Sequence, residues 1–280
     1  MSYQCPLCQS PLVQDARQWT CGKHSFDCAK EGYVNLLPVQ FKRSKQPGDN
    51  AEMMQARRQF LDAGHYQPLR DAVARHVDSI VAEDASALLD IGCGEGYYTA
   101  ELARRLTLSR TMTIYGLDVS KAAIQRAAKR HDKVEFCVAS SQRLPFSDHS
   151  LDAVVKIYAP CNDAELQRTI KTGGWVITVS PGPRHLYQLK AEVYDHVRLH
   201  PSKNEVLAGF KLVDQQTLAY PMLLTGPEGA ALLQMTPFAW RATPQVSERL
   251  RNTAQFSCET DFIIRLHQRS DTDVASNGAV

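Results

Sequence analysis

Apolar and polar positions follow two different patterns between residues 85 and 181, and the two patterns alternate along the chain. Short apolar runs predict buried strands, whereas apolar residues spaced three to four apart predict amphipathic helices. Strands are predicted at 87–91, 111–118, 134–140, 151–159 and 173–181, and helices at 99–106, 120–131 and 162–170. Strands that alternate with helices build a mostly parallel sheet with helices on its faces. The sheet reaches seven strands when two less regular ones are added at 209–219 and 259–268.

The segment before this series predicts two helices. Asn50 can cap a helix over 51–63 that ends at Gly64. A second helix over 67–81 follows, with Pro68 in its first turn, where the missing amide hydrogen of proline costs nothing.

Three parts of the chain therefore differ in character. Residues 1–37 are rich in turns and cysteine and have too few apolar positions to bury a core unaided. Residues 38–84 combine a polar, basic loop at 38–50 with the two helices, and residues 85–280 form the α/β domain. No apolar run reaches membrane length, and the N-terminus lacks the features of a secretory signal, so we expect a cytoplasmic protein.

Composition and charge change this picture only slightly. A net charge of +2, with 44% hydrophobic and 22% charged residues, fits an ordinary globular protein and does not identify a nucleic-acid-binding one. Residues 1–60 nevertheless hold eight Lys or Arg against five acidic residues, an excess of +3 that leaves −1 for the rest. Basic side chains of this segment, Arg43 and Lys45 among them, are therefore candidates for contacts to nucleic-acid phosphates.

Cysteines cluster at the N-terminus, where four of the eight lie within residues 5–28. Cys5 and Cys8 form one C-x2-C pair, and Cys21 and His24 form a second pair of metal-ligating residue types. In a reducing compartment such pairs predict a tetrahedral structural zinc site, whose binding energy would fold a segment too small to fold alone. Cys28 is the alternative fourth ligand, and four unpaired thiols without metal are the plainer alternative.

A glycine-rich string follows the first strand of the α/β series. It runs from Asp90 through Gly92 and Gly94, at the edge of the sheet where open α/β folds bind ligands. Tyr97 stands where the dinucleotide-binding pattern requires its last glycine. The Asp90 carboxylate would repel a pyrophosphate but attract the ammonium and sulfonium groups of S-adenosylmethionine. The string therefore favours S-adenosylmethionine as the ligand.

Two further strand ends complete the predicted cofactor site. Asp118 ends the second strand of the series, where a carboxylate can accept hydrogen bonds from both ribose hydroxyls. Ser141, Gln142 and Leu144 follow the third strand and are predicted to border the adenine. The alternative is structural: Asp90 and Asp118 would only cap helices, and the polar residues would only form a turn.

At this point the chain resembles the bacterial 23S rRNA (guanine-N1)-methyltransferases of the RlmA type. The resemblance rests on the cysteine module and on these strings: SFDCAKEGYVNLLP (25–38), PGDNAEMMQARRQFLDAGHYQPLRD (47–71), DIGCGEGYYT (90–99), IYAPC (157–161), GGWVIT (173–178), PGPRHL (181–186) and LLQMTPFAWRA (232–242). It implies a Rossmann-like class I methyltransferase fold with a small N-terminal zinc-binding module. It also implies methyl transfer to N1 of a specific guanine in a hairpin loop of 23S rRNA, by a homodimer.

The resemblance also implies particular site residues. The zinc ligands would be Cys5, Cys8, Cys21 and His24, although the family commonly has C-x3-H where this chain has C-x2-H. The residues that contact S-adenosylmethionine would be Tyr66, Gly94, Glu95 and His185.

Methylation of guanine N1 requires the proton on N1 to leave. A general base, or donors that stabilise negative charge on O6, would serve. Candidate bases are His185, Asp27 and Asp163, with Tyr158 as a hydrogen-bonding partner. The aromatic residues of 235–243 are predicted either to stack on the target base or to pack in the core.

Two other functions remain open from the sequence. One is a small-molecule methyltransferase that carries a zinc knuckle, and tight binding to an rRNA hairpin would argue against it. The other is a non-catalytic, zinc-dependent RNA-binding adaptor, which methyl transfer in vitro would eliminate.

Overall fold

The computed structural model describes residues 3–41, 50–201 and 205–270. Eleven strands lie in these ranges: β1 (Val13–Asp15), β2 (Gln18–Thr20), β3 (Ser25–Asp27), β4 (Val34–Asn35), β5 (Ala87–Ile91), β6 (Thr113–Asp118), β7 (Glu135–Val138), β8 (Leu151–Ile157), β9 (Ile170–Pro181), β10 (Phe210–Leu224) and β11 (Phe256–Arg269). The α-helices in the same ranges are α1 (Ala51–Asp62), α2 (Gln67–Ile80), α3 (Tyr97–Leu106), α4 (Lys121–Arg130), α5 (Asp163–Thr169), α6 (Tyr187–Val193), α7 (Gly226–Gln234) and α8 (Pro244–Asn252). None of these helices is long and apolar enough to cross a membrane.

The main sheet has the strand order β10-β11-β9-β8-β5-β6-β7-β4. Neighbouring strands from β9 to β4 in this order are parallel, whereas β11 runs antiparallel to both β9 and β10. The chain passes from β5 to β6 on one side and returns to β8 on the other side, so β5 marks the point where the winding reverses. Ligands of open α/β sheets bind at such a point, and the glycine string follows β5 directly.

The sequence predicted this architecture. All seven expected strands are present, and their first or last residues differ from the prediction by only a few positions, apart from a longer β10. Asn50 caps α1 by accepting a hydrogen bond from the Met53 amide at 2.9 Å. The mostly parallel, helix-covered fold is therefore confirmed, and β4 adds an eighth strand that the sequence pattern did not predict.

The N-terminal segment packs directly on the main sheet. A three-stranded antiparallel sheet, β1-β2-β3, holds its outer part, while β4 pairs with β7 at the sheet edge. The Tyr3 ring is 2% exposed and lies 5.7 Å from the ring of Tyr115 and 5.5 Å from that of Phe146. The zinc-module segment and the α/β domain thus share one apolar core. The segment ends in a short 3-10 turn, Val39–Phe41, and most of the predicted 38–50 loop (42–49) lies outside the described residues.

Candidate active site and metal centre

The two N-terminal ligand pairs meet in one cluster. The Cys5, Cys8 and Cys21 sulfurs and the His24 Nδ1 all lie within 4.8 Å of one another. Nδ1 is 3.5 Å from the Cys5 sulfur and 3.6 Å from the Cys21 sulfur, and the Cys8 and Cys21 sulfurs are 3.6 Å apart. Tetrahedral zinc with bonds of about 2.3 Å to sulfur and about 2.0 Å to nitrogen needs edges of about 3.5–3.8 Å. The cluster therefore fits a structural zinc ion.

The shortened spacing between Cys21 and His24 is accommodated by a tight turn. The Cys21 amide donates to the His24 carbonyl at 3.1 Å, and the His24 amide donates to the Cys21 sulfur at 3.3 Å. Gly22 takes a φ of +82°, which favours glycine. One residue fewer than in the common family spacing thus still brings Nδ1 to the cluster.

Cys28 lies apart from these four groups. Its backbone forms a bridge with Val34, and its amide donates to the Arg17 carbonyl at 2.7 Å. Cys28 is not among the ligand atoms that lie within 4.8 Å of one another. Burial raises the pKa of the Cys28 thiol, but it also raises that of Cys5, so thiol acidity does not distinguish the two. The geometry therefore favours His24 as the fourth ligand.

A cavity of 1090 Å³ opens at the carboxyl edge of the sheet, beside the glycine string. All seven predicted cofactor residues line it: Tyr66, Asp90, Gly92, Gly94, Glu95, Asp118 and His185. Of the three residues predicted to border adenine, Ser141 lines the cavity. Gln142 is exposed, and Leu144 is buried in the core that packs against the N-terminal segment.

The glycine string turns sharply between β5 and α3. Gly92 and Gly94 have φ values of +73° and +56°, a region that side chains with a Cβ rarely adopt. A Cβ on Gly92 would also approach that of Ala159 to 2.8 Å. Asp118 supports the loop, since one of its carboxylate oxygens accepts from the Gly94 amide at 3.0 Å and the other accepts from the Ser120 amide at 2.8 Å. Asp118 is therefore both a structural support and a wall of the cavity.

Asp90 is 2% exposed and lies behind the glycine string. The Thr99 hydroxyl donates to its carboxylate at 2.6 Å. Burial raises the pKa of Asp90 to about 7, against the weaker opposing effect of the hydrogen bond from Thr99. A cationic ligand in the cavity would favour the ionised form, so this carboxyl group is suited to bind positive charge.

Three arginines surround Glu95 at the rim of the cavity. Its carboxylate contacts Arg58 at 2.8 Å, Arg126 at 3.1 Å and Arg130 at 3.9 Å. Three cations for one anion leave a local positive excess, which Asp62 partly balances through Arg130. The sequence pattern did not predict this cluster, although Arg126 and Arg130 lie one turn apart on α4 and so share a face.

His185 and Tyr158 meet in the same cavity, where His185 is buried and Tyr158 is 47% exposed. The Asp261 amide donates to the Nδ1 of His185 at 3.2 Å, and the Nε2 lies 3.4 Å from the Tyr158 hydroxyl. Burial, helped by the charges of His200 and Lys190, lowers the pKa of His185 to about 3, so its imidazole is neutral. The two other candidate bases, Asp27 on β3 and Asp163 at the start of α5, lie outside the cavity lining.

The aromatic residues of the 235–243 segment divide between the two predicted roles. Phe238 lines the cavity and packs against the core, 6.1 Å from the ring of Tyr194. Trp240, three-quarters exposed at 78%, projects from the same 3-10 turn, Pro237–Trp240. Core packing therefore explains Phe238 in part and leaves Trp240 available for a partner.

Fold and site together define a class I S-adenosylmethionine-dependent methyltransferase that carries an N-terminal zinc-binding module. Two family models match the chain: the RlmA N-terminal zinc ribbon over residues 3–45 and a methyltransferase domain over residues 88–174. The chain is 35% identical to a protein of Micromonospora griseorubida assigned as a 23S rRNA (guanine-N1)-methyltransferase, over 86% of this chain and 88% of that protein. It is 30% identical to the 23S rRNA (guanine(748)-N1)-methyltransferase of Streptomyces fradiae, over 86% of each chain. The chain belongs to the 23S rRNA (guanine-N1)-methyltransferase family.

Proposed function

We propose that this chain transfers the methyl group of S-adenosylmethionine to N1 of a guanine in a hairpin loop of 23S rRNA. The observation that carries the proposal is one cavity that joins the glycine string to the aromatic turn at 237–240. Its volume of 1090 Å³ slightly exceeds the range of about 300–1,000 Å³ that holds one small ligand, which leaves room for a cofactor and a base. Family membership supports guanine N1 of 23S rRNA as the methyl acceptor.

The cofactor would be held by the seven residues that the sequence analysis named. Asp90 offers negative charge to the ammonium and sulfonium groups, and Asp118 has acceptor capacity for the ribose hydroxyls. Gly92 and Gly94 allow the backbone to approach the ligand closely. Tyr66, Glu95 and His185 complete the proposed set, and the side chain of Glu95 would act mainly through its three arginines.

The RNA would approach over the arginine cluster around Glu95. Guanidinium groups bind phosphates in a bidentate geometry, and their charge draws nucleic acid to the cavity rim. Trp240 offers an exposed ring on which an unpaired base can stack, as single-stranded RNA loops commonly do on aromatic residues. Arg43 and Lys45, the phosphate contacts predicted from the sequence, lie outside the described residues.

Three further properties belong to the proposal. Residues 1–37 would help to select the RNA, and residues 85–280 would carry the chemistry. Residues 38–84 would connect these two parts through the linker and the two N-terminal helices. A cytoplasmic location suits an rRNA substrate and the three cysteines, Cys5, Cys8 and Cys21, that must stay reduced to bind zinc. A homodimer is supported by the edge strand β10, which leaves Leu212, Val213 and Leu223 largely exposed. Sedimentation of the purified protein would measure its oligomeric state.

The test of the methyl acceptor is mass mapping of nucleosides in 23S rRNA from a strain that lacks the gene. We expect one 1-methylguanine to disappear and to return when the purified protein and S-adenosylmethionine are added to the rRNA. A synthetic hairpin with the target guanine replaced by adenine should receive no methyl group. An unchanged set of rRNA modifications would contradict the proposal.

A further inference from the structure

Tyr158 has an unusual backbone at the carboxyl end of β8. Its φ of +55° lies in the left-handed region, which bulky residues rarely occupy. A hydrogen bond from its amide to the Val179 carbonyl at 3.2 Å fixes this geometry. Strained conformations of this kind cluster at functional sites, where the surrounding structure enforces them. Tyr158 lines the same cavity as the glycine string.

The hydrogen bonds of His185 determine the proton positions around Tyr158. The Asp261 amide can only donate, so Nδ1 of the neutral imidazole must accept. The ring hydrogen therefore sits on Nε2, which donates to the Tyr158 oxygen 3.4 Å away. With its oxygen engaged as acceptor, the Tyr158 hydroxyl directs its own hydrogen elsewhere. That hydrogen is retained at neutral pH, since a phenol ordinarily ionises only at a pH of about 10.

These contacts exclude one of the candidate bases named above. His185 cannot accept the proton of guanine N1 through Nε2, because this atom already carries a hydrogen. Its Nδ1 is engaged by the backbone of β11. The arrangement instead offers the O–H group of Tyr158 as a donor in the cavity. His185 orients this hydroxyl, and the Asp261 amide orients His185.

We propose that Tyr158 is a catalytic residue whose hydroxyl donates a hydrogen bond to O6 of the target guanine, and that His185 is the residue that positions it. This inference rests on the proposed function. When N1 loses its proton, negative charge spreads to O6, and a fixed donor there stabilises the transition state. The N1–CH3 bond forms as the CH3–S⁺ bond breaks, sulfur keeps the bonding electron pair, and the N1 proton passes to water at the cavity mouth.

The experiment is single-turnover methylation of an rRNA hairpin by wild type and by Tyr158→Phe, which keeps the ring and removes the hydroxyl. We expect a rate about 100-fold lower, the usual effect of losing one such donor. The affinity for S-adenosylmethionine, measured by calorimetry, should stay the same. The matched control is Tyr187→Phe, which removes a hydroxyl from a residue outside the cavity lining and should keep the wild-type rate.

A second substrate localises the effect to O6. In a hairpin with 6-thioguanine at the target, sulfur replaces O6 and accepts hydrogen bonds poorly. Tyr158→Phe should slow methylation of this RNA by less than about threefold, because the hydroxyl forms only a weak hydrogen bond to sulfur in wild type. An equal penalty on both RNAs, or none on guanine, would overturn the inference. If wild type itself fails to methylate guanine N1, the proposed function fails instead.

The positioning role of His185 has its own readout. His185→Phe keeps an aromatic ring but removes the Nε2 donor, and it should lower the single-turnover rate. Adding Tyr158→Phe to this variant should lower the single-turnover rate by a much smaller factor than it does in wild type, because the two residues act as one unit. If the rate of the double variant falls by the product of the two single-variant factors, His185 acts independently of Tyr158.

Discussion

The burial of the Asp90 carboxyl group opposes the stability of the cofactor-free protein. Because its pKa rises from 3.8 to about 7 on folding, the native state holds the proton more tightly than the unfolded chain between these values. The free energy of unfolding therefore falls as the pH rises through this window. We expect Asp90→Asn to stabilise the cofactor-free protein by up to about 4 kcal/mol at pH 8, with the gain shrinking towards pH 4.

Urea denaturation at several pH values measures this gain. The same variant should bind S-adenosylmethionine more weakly, because it lacks the charge that attracts the cationic ligand. A stability difference that does not change with pH would show that Asp90 is ionised normally in the folded protein.

Asp118 carries a second prediction at the scale of single residues. Asp118→Ala removes an acceptor for the Gly94 and Ser120 amides as well as the proposed ribose contact. Hydrogen bonds to a charged group contribute about 1.5–3 kcal/mol each, so the affinity for S-adenosylmethionine should fall at least tenfold. Calorimetry measures the affinity, and Asp163→Ala, on α5 outside the cavity, is the control. Unchanged affinity would make Asp118 purely structural.

Residues at strand ends were predictable, and residues brought together across the fold were not. Asp90, Gly92 and Asp118 stand next to strands that the apolar pattern predicts, so their meeting at one sheet edge follows from parallel geometry. No feature of the sequence predicts the left-handed backbone of Tyr158. The contact between Arg58 and Glu95 joins α1 to the glycine string, two segments whose packing only the folded chain decides.

At the scale of elements, the alternating series was predicted down to its seven-residue helix α5, whereas short elements outside that series were missed. Strands β5, β6, β8 and β9 each bury several consecutive residues, which gives a strong signal. Strand β4 has two residues and exists because it pairs with β7 far along the chain. Helices α6 to α8, of seven to nine residues each, were also missed, since few turns carry little periodicity.

The zinc module makes a prediction about its own ligands. His24→Ala should weaken zinc retention, because it removes a ligand atom 3.5–3.6 Å from two sulfurs. Cys28→Ser should retain zinc as wild type does, since Cys28 lies outside the cluster. Competition with a chromogenic chelator ranks the two variants, and elemental analysis of the wild type should give one zinc per chain. The reverse ranking would reassign the fourth ligand.

For the whole molecule, the shared core decides how far the module can be separated from the enzyme. Removal of residues 1–37 would leave the proposed cofactor residues in the chain but would also remove β4, Tyr3 and Leu12 from the core. A fall in methylation by the truncated protein could then come from lost RNA contacts or from lost stability, and the experiment would not separate the two. Substitution of Trp240 in the intact chain tests RNA contact more cleanly, because Trp240 lies outside the proposed cofactor set, and methylation should weaken with added salt if phosphates are bound.

The same shared core predicts how the protein responds to loss of its metal. Zinc binding energy stabilises the module, and the module packs Tyr3 against Tyr115 and Phe146 of the α/β domain. Removing zinc should therefore lower the melting temperature of the entire chain, within a single cooperative transition, and should weaken cofactor binding only modestly. Scanning calorimetry with and without a chelator measures this, with S-adenosylmethionine added in a parallel scan to mark the transition of the cofactor domain. If a small separate transition vanishes while the cofactor-sensitive one stays at its original temperature, the module folds as an independent unit and the packing at Tyr3 contributes little to stability.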